Sequence, residues 1–323
     1  MTEAKATTPS TDDTKAAHGA AFGVAAYSLW GLFPLYFTAL EPAGALEVLV
    51  HRMLWTLVVC LIVLTATRGL RFLVELRHHP RRVAAISVAG LAIAANWGIY
   101  VGAVVSGHVV EASLGYFLNP LVTVGLGVVV LHERLRRLQW AAVAVGAIAF
   151  AYLVVDYGRV PWISACLAAS FASYGLMKKR VGGSMTALQS LTSETAVLAP
   201  AAVVILVVLT MTGHTTFTTD GAGHSLLLMS TGIVTAIPLL LFAAAARRVP
   251  LVTIGLLQFI TPVLQLICGV WLLGEHLSTG RWVGFGIVWI ALALLSADSI
   301  HAGSRDRQRR RLLEVEVAAE DCH

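Results

Sequence analysis

The sequence predicts an all-α membrane protein, with ten transmembrane helices arranged as two inverted five-helix repeats. Three observations lead there. The 323 residues are 57% hydrophobic and 13% charged, with a mean hydropathy of +0.78, whereas soluble domains are about 45–50% apolar and about 25% charged. The apolar residues fall in runs of roughly 20, long enough to cross the ~30 Å hydrocarbon core as helices. The second half of the chain also repeats the first at a constant offset of 142 residues. This composition excludes a soluble enzyme, a nucleic-acid-binding domain and a disordered chain. No alternating ~10-residue segments of the outer-membrane barrel kind occur.

Along the chain, residues 1–18 are polar and expected to be a disordered cytoplasmic terminus. No short apolar region with a cleavage site precedes the first span, so a cleavable signal peptide is not expected. Spans are expected at 19–39, 45–66, 84–105, 111–131 and 138–155, which make the first repeat, residues 19–156. Those at 160–177, 185–211, 225–246, 251–273 and 280–299 make the second, residues 157–300. Residues 301–323 are a cytoplasmic tail, with five arginines from Arg305 to Arg311 followed by Glu314, Glu316, Glu320 and Asp321. A basic block beside the last span attracts anionic lipid or simply anchors the topology. Cys60, Cys166 and Cys268 lie inside spans, where thiols act as small apolar fillers. No cysteine or histidine spacing suggests a metal site or a disulfide framework, so neither a metal nor another cofactor is expected.

The basic residues define an orientation. Lys5 and Lys15, Arg68 to Arg82, Arg134 to Arg137, Lys178 to Arg180, Arg247 and Arg248, and the five tail arginines all fall on one side. These are 20 of the 23, and the other side carries only Arg159 and Arg281, with Arg52 inside a span. The positive-inside rule then puts both termini in the cytoplasm.

The repeat is read residue by residue. Phe117, Pro120, Gly127, Leu131, Glu133, Leu135 and Trp140 fall on Phe259, Pro262, Gly269, Leu273, Glu275, Leu277 and Trp282 without a gap. Five spans are an odd number, so the second copy crosses in the opposite sense. The basic His132–Arg137 turn accordingly loses its three arginines in the counterpart Gly274–Thr279 turn. Inverted repeats of this kind typify secondary transporters, with the substrate site near the midplane between them.

Polar residues inside the spans mark candidate site positions, because charge in hydrocarbon is costly. Arg52 lies about seven residues into its span (~10 Å) and Glu194 about nine into its own (~14 Å). They are repeat equivalents, expected to face one central cavity and open to pairing with each other. The opposing reading is a fixed structural ion pair or a snorkelling arginine. His51 adjoins Arg52, with Glu47 one turn earlier. Such a contact can orient the imidazole or carry a proton, so proton or ion coupling stays open beside a structural role. Tyr116, Asn119 and Thr123 map onto Gln258, Thr261 and Gln265, each triplet on one helix face. These groups either line a substrate path or bond neighbouring helices. Asn96, Trp97 and Tyr100 either line a pocket for an amphipathic or aromatic solute or pack. Pro34, Pro120, Pro238 and Pro262 are hinge or kink candidates. Gly98, Gly102, Gly125 and Gly127 suggest close helix approach. Glu133 and Glu275 are expected to accept hydrogen bonds in the turns that follow their spans. No catalytic residue is assigned.

These residues resemble the EamA family of the drug/metabolite transporter superfamily, and its RarD-type permeases more closely. The resemblance rests on Tyr27-Ser-Leu-Trp-Gly-Leu-Phe-Pro-Leu-Tyr36, Glu47-Val-Leu-Val-His-Arg52, the segment Ser106 to Pro120, Glu133-Arg-Leu-Arg-Arg-Leu-Gln-Trp140, and the segment Pro238 to Arg248. It covers the chain from about Gly19 to Ile300. It implies a bacterial inner-membrane permease with a central cavity between the repeats. The expected partners are a small organic solute and membrane lipid, not nucleic acid, and oligomeric state is left open. An intramembrane enzyme and a non-transporting scaffold are the alternatives.

Overall fold

A computed structural model describes residues 11–132, 134–181, 185–246, 248–249 and 251–320. Among the described residues every regular element is helical. The helices are α1 (Thr11–Gly31), α2 (Phe33–Thr38), α3 (Ala45–Ala66), α4 (Arg71–Arg77), α5 (Pro80–Val105), α6 (Val109–Leu131) and α7 (Arg137–Tyr157). There follow α8 (Trp162–Val181), α9 (Ala187–Met211), α10 (Gly221–Ala246), α11 (Leu251–Leu257) and α12 (Ile260–Ile267). A π-helical turn (Cys268–Leu272) and α13 (Thr279–Glu320) complete the chain.

Nine of the described helical stretches are long and apolar enough to cross a membrane. The expected span at 160–177 is a helix, α8, but its apolar part, Trp162–Met177, is shorter than the others. Lys178, Lys179 and Arg180 end the run after 16 residues, which at 1.5 Å each is ~24 Å. At the chain ends helix extends further than expected. The first helix already begins at Thr11, within the segment expected to be disordered, and α13 runs on through the expected tail to Glu320.

The surface is inverted relative to a soluble protein. Ile62, Leu91, Ile148 and Val204 are each 62% exposed, whereas Glu47, Arg52, Asn96, Glu111 and Glu194 are buried. Lipid gives no reward for hiding aliphatic side chains, so the polar groups occupy the interior and must satisfy one another there.

The chain forms two compact units, Met1–Asn119 with Trp162–His276, and Pro120–Pro161 with Leu277–His323. In the first, α1 packs on α10 and α12, α3 on α9 and α10, and α5 on α8 and α9. Small residues bring backbones together. A Cβ on Gly232 would lie 2.4 Å from the Trp55 carbonyl, so α10 and α3 touch main chain to main chain. Gly115 meets Ser164 of α8 and Gly90 meets Glu194 of α9 in the same manner. Of the glycines singled out by sequence, Gly98 meets Leu49, whereas Gly102 and Gly125 face open space. In the second unit α7 and α13 pack together, with Leu153 seated on Gly284. Ion pairs close both ends of this pair, Arg136 with Asp298 at 3.2 Å and Arg281 with Asp156 at 3.9 Å.

Candidate functional site

Pro34 interrupts the first span. Helix α1 stops at Gly31, the chain bends at Leu32, and α2 starts with Pro34 near its N-terminus. Proline has no N–H, so the carbonyl four residues earlier loses its donor. That carbonyl belongs to Trp30, and the Gln265 amide of α12 reaches it at 3.4 Å. Cys268 and Thr261 donate to the neighbouring carbonyls of Gly31 and Tyr27. Thr261 and Gln265 thus bond the broken end of α1. Pro262 follows a second interruption, at Gln258–Phe259, whereas Pro120 and Pro238 lie inside continuous helices.

The bend aims α2's aromatic face at α3. Phe33, Tyr36 and Phe37 recur at i, i+3 and i+4, so they share a side of the helix. Arg52 of α3 lies among them, 4% exposed. Its guanidinium carbon sits 5.4 Å from the ring centres of both Phe33 and Phe37 and 4.2 Å from that of Trp97 on α5. Its Nε donates to Thr235 Oγ1 of α10 at 3.0 Å, and its buried Nη1 has no hydrogen-bond partner. The ring of Tyr100 meets that of Phe37 at 6.0 Å and that of Tyr116 at 5.5 Å. Tyr36 donates to Leu227 O and meets Ser230 Oγ at 2.7 Å. Tyr116 donates to Asn96 Oδ1 at 3.3 Å, while the Tyr100 hydroxyl is buried without a partner. Asn96 itself bridges three helices, because its amide also donates to Leu167 O and Ser170 Oγ. Asn119 is buried with its Oδ1 unbonded.

Arg52 and Glu194 do not pair. Glu194, 1% exposed, accepts from Tyr174 at 3.2 Å and from Ser190 at 2.9 Å. Among the described residues no carboxylate forms an ion pair with Arg52. A bidentate pair would have required the two side chains to leave their present neighbours.

Glu47 and His51 build a separate tie at the start of α3. Glu47 Oε1 accepts from Thr215 Oγ1 and Thr216 N, both at 2.7 Å, and from Phe217 N at 3.1 Å. Its Oε2 accepts from Thr216 Oγ1 at 2.9 Å. His51 stacks on Phe217 with ring centres 4.6 Å apart and accepts at Nδ1 from Trp55. Its Nε2 is 4.0 Å from Glu47. The loop joining α9 to α10 is therefore tied to α3 by one buried carboxylate.

Glu275 accepts from the N–H groups of Val109 and Val110 at 2.5 and 2.9 Å. It caps the start of α6 and not its own turn, because a carboxylate suits the unsatisfied donors and positive end of a helix. Burial pushes its carboxyl upward, and the two N–H groups only partly offset this. Its repeat counterpart Glu133 lies outside the described residues. Among the described residues no three His, Cys, Asp or Glu side chains are grouped as a metal site requires.

Sequence reading singled out Arg52, Trp97, Tyr100 and Tyr116, and the structure brings these four together. It missed Phe33, Tyr36, Phe37 and Thr235. The i, i+3, i+4 aromatic spacing in Phe33–Phe37 was a usable signal for the first three, and nothing local marks Thr235.

The EamA-like transporter family model matches residues 17–155 and again 160–297. The chain is 48% identical over 291 residues to a protein RarD of Streptomyces exfoliatus, covering 90% of this chain and 92% of that protein. It is 42% identical over 283 residues to an uncharacterized transporter of Pseudomonas aeruginosa, covering 87% and 94%. With a protein RarD of Escherichia coli the identity is 35% over 294 residues, covering 91% and 99%. A solved crystal structure of a protein at 18% identity superposes with a TM-score of 0.54, covering 85% of this chain and 96% of that one, which is a likeness of fold alone.

Proposed function

Given that the chain belongs to the EamA-like transporter family and is a multi-pass membrane transporter, we propose that it is a secondary permease of the bacterial inner membrane. It moves a small organic metabolite or drug-like solute by alternating access. The observation that carries this reading is the buried Arg52 guanidinium, surrounded by aromatic rings and lacking a carboxylate among the described residues. Charge at membrane depth persists where it serves a substrate or ion path.

The architecture of this reading is ten spans in two inverted repeats, with α8 as the sixth. Local thinning of the bilayer accommodates its length. Two features support the repeat. Helices α3, α6 and α7 start at Ala45, Val109 and Arg137, and α9, α11 and α13 start 142 residues later at Ala187, Leu251 and Thr279. In addition, α1 packs on α10, and the shifted counterparts of this pair, α8 and α5, also pack on each other. An inverted repeat lets one sequence pattern build inward-open and outward-open states of similar free energy, as a carrier needs. Both termini then face the cytoplasm, in keeping with 20 basic residues on that side.

In this scheme Arg52, Trp97, Tyr100, Tyr116, Asn96 and Asn119 contact or position the solute, and His51 and Glu194 gate. Thr261 and Gln265 hold the broken end of α1, Gln258 contacts the solute or gates, and Pro34, Pro120, Pro238 and Pro262 allow the bending between states. The test is counterflow in sealed proteoliposomes, using solutes selected by thermal shift, with and without a pH gradient. Saturable flux that falls in Arg52→Ala and Glu194→Ala at unchanged folding supports the reading. Product formation in detergent would instead mark an enzyme, and a folded protein with neither activity would be a scaffold.

A further inference from the structure

We infer that the solute is a small organic monocarboxylate with a flat apolar body, and that Arg52 and Tyr100 bind its carboxylate. This rests on the transport reading above and names the substrate class of the same site.

A guanidinium stays protonated in proteins, so Arg52 cannot relieve its burial by discharging. An uncompensated buried charge is strongly destabilising unless an opposite charge reaches it. Among the described residues, the buried acids of its unit and the half-buried Glu275 are engaged elsewhere. Glu47 holds the α9–α10 loop, Glu111 accepts from Ile163 N, Glu194 accepts from Tyr174 and Ser190, and Glu275 caps α6. The rings of Trp97, Phe33 and Phe37 attract the cation through their π faces but accept no ordinary hydrogen bond from Nη1. What is missing is an anionic acceptor.

A second unmet group points the same way. The Tyr100 hydroxyl, on a side chain 2% exposed, has no partner, and the Tyr100 ring meets Phe37, the ring that also faces Arg52, at 6.0 Å. Two buried donors without acceptors, one cationic, are what a carboxylate satisfies through two oxygens. One cation balances one negative charge, so a dianion would bring an uncompensated charge and an organic cation would be repelled. The rings of Phe33, Phe37 and Trp97 surround the guanidinium, and such faces favour a flat apolar body over a polyhydroxylated one.

The test uses the purified full chain with acetate, butyrate, phenylacetate and indole-3-acetate, each beside its amide, plus phenethylamine. Affinity is read by thermal shift, which grows with ligand occupancy. The aromatic acids are expected to bind about tenfold or more tightly than their amides, since hydrogen bonds to a charged partner exceed neutral ones. Arg52→Gln should erase this preference. Tyr100→Phe removes only an unbonded hydroxyl, so it should fold normally and weaken acid binding several-fold. Arg52→Lys keeps the charge and checks folding at that position. If no acid binds more tightly than its amide, or if Arg52→Gln leaves the preference intact in a folded protein, the inference is overturned. Counterflow separates the two readings. Flux of amides or phenethylamine without flux of acids overturns the carboxylate class and leaves the transporter standing. Arg52-dependent acid binding with no flux of any solute supports the carboxylate site and counts against transport.

Discussion

The guanidinium carbon of Arg52 lies 4.2 Å from the centre of the Trp97 ring system, in the interior of the first unit. A cation over an indole face gains about 0.5–2 kcal/mol depending on its desolvation. The two residues sit on different helices, α3 and α5, so this attraction also fastens one helix to the other.

Replacing Trp97 therefore tests the cation's environment. Trp97→Leu is expected to lower thermal stability, while Trp97→Phe, which keeps a π face, should lose less. Equal melting temperatures for the leucine and phenylalanine variants would show that the ring contributes packing alone.

Gly232 sets the spacing between α10 and α3. Any Cβ there meets the Trp55 backbone at 2.4 Å, and neither main chain can move aside without disturbing its helix. Gly232→Ala should cost about 1–3 kcal/mol, in the range of overpacking. It should also displace Thr235, one turn away, from Arg52. Unchanged melting of the alanine variant would contradict this close approach.

Glu47 ties the α9–α10 loop through four hydrogen bonds. Glu47→Gln keeps the shape but replaces an acceptor oxygen with a donor facing other donors. It should cost roughly 1–3 kcal/mol. Amide exchange at Thr216 and Phe217 is expected to rise, and protection equal to that of the native chain would exclude the tie.

Glu275 makes a pH-dependent contribution. Burial raises its carboxyl above the ordinary range in the folded protein, so the folded state binds the proton more tightly than the unfolded state does. Its ionised form therefore opposes folding, and this opposition fades as the pH falls from the raised value toward the ordinary glutamate value of about 4.3. Compared with Glu275→Gln, the native chain should gain relative stability on acidification through that window. Parallel stability profiles, or a relative loss, would refute the assignment.

The orientation proposed from the basic residues has a direct readout. Alkaline phosphatase fused after Arg159 is expected to be active, and fused after Arg137 inactive, because the enzyme matures only outside the cytoplasm. Reversed activities would invert the topology.

Much of this molecule was legible from local pattern. Apolar runs give helices in lipid because no other open segment can satisfy its backbone there, and the offset of 142 residues located helix starts in both halves. Arg52, Trp97, Tyr100 and Tyr116 stood out as polar or amphipathic residues in otherwise aliphatic runs. Other features were not visible. Thr235 looks like many threonines in spans, and its tie to Arg52 bridges 183 positions of sequence. The Gln258–Thr261–Gln265 stripe could be read as substrate-lining or as interhelical, and two of its members bond the carbonyls near the break at Leu32.

The sequence by itself determined the solvent, the helical class and the positions of the polar exceptions, since each follows from the composition of a short stretch of chain. The partners of those exceptions were decided only by tertiary structure. Arg52 and Glu194 occupy equivalent repeat positions, which left their pairing open. Folding gave Glu194 to Tyr174 and Ser190, and set Arg52 among aromatic rings with one donor unmet. The physical reason is that a hydrogen bond or ion pair depends on ångström-scale distances between helices. Small residues such as Gly232 set those distances, and no periodicity along the chain records them.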